Sequence, residues 1–110
     1  NRSALFIPDI DKWYLWEKSI IEEVKSVDYA FLDATFFSGE EINRSMSEIP
    51  HPFISETIEI FEDEELSTKN KIYFIHFNHT NPVLNQKISL RDSIIKLGFN
   101  FAKFGDRYEL

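Results

Sequence analysis

Short apolar runs alternate along this chain with stretches of helical periodicity, and that alternation constrains its fold more than any other feature. Ala4-Leu5-Phe6-Ile7 is stopped by Pro8 and Asp9, Tyr29-Ala30-Phe31-Leu32 by Asp33, and Lys71 to Ile75 by His76. Runs this short, bounded by turn-forming or charged residues, suit buried strands. Between the first two, Trp13, Trp16, Ile20, Val24 and Val27 recur at three- and four-residue spacing among Glu17, Lys18, Glu22, Glu23 and Lys25. This pattern predicts an amphipathic helix over 12–25, with Asp11 as its cap. A second helix is expected over 55–65, with Ile54, Ile58 and Phe61 on one side, and a short one over 40–47. A third is expected over 89–97, capped by Ser89 and closed by Gly98. Strands over 99–104 and 107–110, joined at Gly105-Asp106, complete the order β-α-β-α-β-α-β-β. That order predicts an α/β fold with a mixed sheet and right-handed crossovers.

At 110 residues the chain is expected to be a single domain, 1–110. It contains no cysteine, which removes disulfides, thiolate metal sites and cysteine nucleophiles, and fits a reducing, cytoplasmic compartment. A formal charge of −7 argues against a nucleic-acid surface, whose affinity comes from neutralising phosphates. No run approaches the ~20 apolar residues that span a bilayer, so no membrane segment is expected. Only 3 glycines occur, and no phosphate-cradling motif is among them. The chain starts at Asn1 and enters an apolar run within a few residues, from which a fragment of a longer protein is expected.

The chemistry is expected where strands end. In an open α/β sheet, ligands collect at the carboxyl ends of the strands. Asp9, Asp33 and His76 each end one, and His51, between Pro50 and Pro52, follows the second strand and could reach the same rim. Two carboxylates and two imidazoles suit a hard or borderline divalent cation. The plainer reading is that strand-end acids cap turns and that loop histidines are ordinary hydrogen-bond partners. No serine stands in a strand-to-helix elbow of the G-x-S-x-G kind.

These residues also resemble a known family. Phe6-Ile7-Pro8-Asp9, Leu32-Asp33-Ala34-Thr35-Phe36, Pro50-His51 and Ile75-His76-Phe77 follow one another as do segments of the C-terminal half of metallo-β-lactamase-fold hydrolases, over Leu5 to Leu110. The flavour is that of ribonuclease Z and, more closely, of the pyrroloquinoline quinone biosynthesis protein B group. Ile75-His76-Phe77-Asn78-His79-Thr80-Asn81-Pro82 resembles a loop of that group, and the ending from Phe101 to Leu110 resembles its final hairpin. The flanks differ: Pro8-Asp9-Ile10 stands where Gly-Asp-Thr is usual, and Asp33 stands in place of Glu.

The resemblance implies half of an αββα sandwich, a mixed sheet with helices on one face. It implies Asp9 and His76 as ligands of a divalent metal, zinc, with the strands they end lying side by side. Asp33 would orient His51, which would deliver a proton, and Asn78 and Thr80 would orient substrate. The implied activity is metal-assisted hydrolysis of a small ester or phosphodiester. The family's His-x-His-x-Asp-His segment is not found in the 110 residues, so the chain alone is expected to be inactive and to bind metal weakly. The missing layer would come from an N-terminal half or from a second copy in a homo-oligomer. The alternatives are an oxygenase-like or carrier protein of quinone-cofactor biosynthesis, and a catalytically silent interaction domain.

Overall fold

Four strands form one sheet: β1 (Ala4–Ile7), β2 (Tyr29–Asp33), β3 (Ile72–Ile75) and β4 (Asn100–Phe101). They lie in the order β1-β2-β3-β4, and each neighbouring pair is parallel. The structure is a computed structural model that describes residues 2–38, 45, 48–85, 88–103 and 105–109, with Asn85 and Ile88 described in backbone only. The strands are linked by α1 (Ile20–Lys25), by α2 (Ile54–Phe61) with α3 (Leu66–Lys69), and by α4 (Pro82–Asn85) with α5 (Ile88–Lys96). None of the described helices is long and apolar enough to cross a membrane.

The strand order explains where the helices go. A sheet laid down strand by strand in one direction, with right-handed crossovers, puts every crossover on the same face. Ala30, Leu32, Ile72 and Phe74 on that face have no exposure. They share one core with Ile20 and Val24 of α1, Ile54 and Phe61 of α2, and Ile94 of α5. The alternate residues Tyr29, Phe31 and Tyr73 point the other way and are half-buried, and Phe6 is 68% exposed.

Two expectations about the sheet are corrected. It is parallel throughout rather than mixed, and residues 107–109 belong to no strand, so the described residues form no final hairpin. Ala102 N–H donates to the Phe74 carbonyl at 3.1 Å, continuing the parallel ladder. A turn follows, in which the Asp106 carboxylate accepts from Lys103 N–H at 2.8 Å. Tyr108 then lies edge-on against Phe31 and Tyr73, with ring centroids 4.9 and 5.1 Å away. Aromatic contact takes the place of ladder hydrogen bonds.

The helix expected over 12–25 is divided. Trp13–Leu15 make a single 3-10 turn, the chain extends at Trp16, and α1 starts only after Ser19, whose hydroxyl accepts from Glu22 N–H at 3.3 Å. Trp13 is the cause: its indole N–H reaches Thr57 Oγ1 of α2 at 2.9 Å and holds this segment on the neighbouring helix. Asp11 accepts from Lys12 N–H but does not cap α1. The helix expected over 55–65 ends at Phe61, with α3 following as a separate turn. Ser89 lies inside α5, and α4 was not anticipated in the polar loop. Gly98 does close α5: its φ is +114°, and an added Cβ would come within 2.6 Å of Leu66 Cδ1. Most of the segment 40–47 lies outside the described residues.

Candidate functional site

Because the strands are parallel, the segments leaving β1, β2 and β3 emerge on one edge. β2 stands between the strands ending at Asp9 and His76, so those two are not adjacent as expected, and Asp33 occupies the middle of the rim. Alternation would put Asp33 on the open side of β2 with Tyr29 and Phe31, yet it has no exposure. The segments around it supply its cover. Pro50-His51-Pro52 leads into α2, whose first turn is tied down by Ile54 N–H to the Phe36 carbonyl at 3.0 Å and Ser55 N–H to the Phe37 carbonyl at 3.1 Å.

Asp33 is fully occupied. Oδ1 accepts from Thr35 N–H at 2.9 Å and from the Thr35 hydroxyl at 2.6 Å. Oδ2 accepts from Ile10 N–H at 3.2 Å and from His51 Nδ1 at 2.8 Å. Thr35 Oγ1 also lies 2.9 Å from His76 Nδ1. Asp9, 71% exposed, comes within 3.5 Å of His51 Nδ1.

Proton counting fixes the roles. A carboxylate can only accept, and a threonine hydroxyl has one proton to donate. The Thr35 proton goes to Asp33, so Thr35 accepts from His76, whose proton must be on Nδ1. His51 likewise carries its proton on Nδ1, toward Asp33. In its neutral form each imidazole then keeps the Nε2 lone pair for whatever occupies the rim. Their ring centroids are 6.3 Å apart. His76 reaches this position through a left-handed backbone, φ +64°, the one such non-glycine residue among those described. A side chain held in that sparsely populated region marks a constrained position at the site.

Ligand atoms of Asp9, Asp33 and His51 lie within 4.8 Å of one another, a spacing that could hold a metal ion. The hydrogen bonding divides this group. An ion on Asp33 would have to displace N–H donors that already satisfy both oxygens. His76, across β2 from Asp9, is not part of this group, and Asp33 and His51 within it are a hydrogen-bonded pair.

Asn78 and Thr80 are on the loop after His76. Asn78 N–H donates to the Thr35 carbonyl at 2.8 Å, but its amide donates to Thr80 Oγ1 at 2.6 Å, so the two side chains engage each other. Thr35 and Asn81 were given no role by the sequence reading. Asn81, fully buried, donates to the carbonyls of Ala34 and Thr35 at 2.9 and 3.3 Å and pins the β2 end to this loop. The Asp-x-Thr spacing of 33–35, which favours a side-chain-to-backbone turn, was the available signal for Thr35. No protein-family model matches the chain, and no curated protein matches it.

Proposed function

We propose that this chain forms the C-terminal part of a metal-dependent hydrolase, acting on a small ester or phosphodiester, in which His51 is the proton donor. The supporting observation is the buried Asp33 carboxylate, which holds the Nδ1 proton of His51 and, through Thr35, orders His76 on the same rim. A bound divalent cation, zinc by the chemistry of imidazole and carboxylate, would supply an activated water and charge neutralisation. Asp9 and His76 would hold it. His51, its ring fixed through Nδ1, presents Nε2 to exchange a proton with the leaving oxygen, and Asp33 stabilises the imidazolium whenever Nε2 is protonated. The Phe36 ring, 6.1 Å from His51, shields one side of the imidazole. The same reading gives the open aromatic face an occupant: in this chain by itself, a second copy.

The test uses the metal-loaded polypeptide carrying both halves, with bis(p-nitrophenyl) phosphate and p-nitrophenyl acetate as substrates. His51→Ala should lower turnover by about 10²–10⁴-fold at unchanged metal content. His76→Ala should lower the metal content itself. Unchanged turnover in His51→Ala would overturn the reading.

A further inference from the structure

A second cavity opens on the same edge of the sheet. It encloses about 320 Å³ between the ends of β3 and β4. Phe77, which follows His76, and Phe101, the last residue of β4, line it with ring centroids 6.0 Å apart. Val83 and Leu84 of α4 extend the apolar wall. Ala102, also in the lining, falls in the row of Asp33 and Ile75, two strand spacings of ~4.8 Å from Asp33.

Two cations belong to this lining, Arg91 of α5 and Lys103 after β4. Arg91 Nε donates to the Val83 carbonyl at 3.0 Å, which lays the guanidinium along the wall. Among the described residues no carboxylate pairs with either side chain. Asp106, the acid nearest in sequence to Lys103, engages the Lys103 backbone N–H and the Tyr108 hydroxyl. The other large cavity, about 430 Å³, is a contrast: its cation, Lys12, is already paired with Glu56 at 2.8 Å, and Glu59 and Glu62 line it too. In a chain of net charge −7, two cations that pair with no acid among the described residues, around one apolar hollow, form a complement to an anion.

We propose that this pocket binds an amphiphilic organic anion, an aliphatic or aromatic carboxylate whose apolar body lies between Phe77 and Phe101 and whose charge faces Arg91 and Lys103. Resting on the hydrolase reading, it takes the non-reacting arm of the substrate and narrows the substrate class to esters that carry such a group. The volume is at the lower end of ligand sites, about 300–1,000 Å³, so the ligand is small.

The experiment titrates the chain with octanoate and follows backbone amide shifts. Octanoate should move Phe77, Phe101 and Lys103, and neutral octan-1-ol should bind about tenfold more weakly. Lys103→Gln, an exposed substitution, should weaken octanoate severalfold and leave octanol unchanged. Arg91→Gln should act in the same direction, and Lys103→Gln keeps the test valid if loss of the Val83 contact unfolds that variant. No shifts at these residues, shifts confined to Phe31 and Tyr73, or equal binding of octanol would overturn the proposal. Octanoate binding in a protein without hydrolytic activity would leave the pocket standing and remove only the hydrolase reading.

Discussion

The two sides of the sheet solve one problem differently. The helix-covered side buries Ala30, Leu32, Ile72 and Phe74 completely, in one core with residues of four of the helices. The other side carries Phe6, Tyr29, Phe31 and Tyr73, and the described chain covers it only through Tyr108 and the rim loops. Parallel sheets are ordinarily covered on both faces. A monotonic strand order denies the second face its helices, so cover has to come from elsewhere. At the carboxyl end of that same face, Asp33 is sealed by hydrogen bonds instead of packing. The contrast teaches that this face is divided along its length, aromatic at one end and a polar cluster at the other.

The sharpest way to break the comparison is to truncate one large ring on each side. Phe74→Ala empties a closed core and should cost about 3–5 kcal/mol. Phe6→Ala should cost under about 1 kcal/mol in dilute protein, since the ring is 68% exposed. Chemical denaturation at several protein concentrations measures both. If a second copy covers the open face, the wild-type midpoint rises with concentration and the Phe6→Ala midpoint does not. A large loss in Phe6→Ala at low concentration would show that the two sides are equally closed.

A smaller effect is expected at the polar end. Thr35→Val removes the hydroxyl between Asp33 and His76 and should cost about 1–3 kcal/mol, because Asp33 loses a donor and His76 an acceptor. The distinguishing readout is the His76 ring in nitrogen-detected NMR of the metal-free chain. The Nδ1–H form should dominate in wild type and in Thr35→Ser, and should be lost in Thr35→Val. His51, which is held directly by Asp33, should keep its Nδ1 proton in all three. A His76 ring indifferent to Thr35 would remove that hydroxyl from the site.

Much of the rim was readable because it depends on local endings: apolar runs stopped at Asp9, Asp33 and His76, and prolines flanking His51. The connections were not. The contact between Thr35 and His76 spans 41 positions, and nothing in either segment specifies it. The parallel addition of β4 was equally hidden. Its two residues and the following 107–109 alternate polar with aromatic side chains, a pattern that serves a hairpin or a folded-back tail equally well, and the edge-on packing of Tyr108 decides between them. The break before α1 was concealed by Trp13 and Trp16, whose spacing continues the helical period while Trp13 is committed to Thr57. Where a side chain serves a distant partner, periodicity misreads it.

The mildest probe is the tail itself. Burial, reinforced by the hydrogen bond to Asp106 and by its charge, pushes the Tyr108 hydroxyl up to about 12 from 10.0. The folded chain thus favours the protonated phenol more than the unfolded chain does. The associated stability is fully present below about pH 10 and is lost as pH climbs toward about 12. Tyrosinate absorbance should show one of the 4 tyrosines titrating late, and Tyr108→Phe should delete that component while changing stability at neutral pH by under about 1 kcal/mol. Because the ring remains, its edge contacts with Phe31 and Tyr73 survive in this variant, and the open side should keep its present degree of cover. Were the late titration to persist in Tyr108→Phe, the tail would not lie on the sheet, and the aromatic end of that side would be wholly bare.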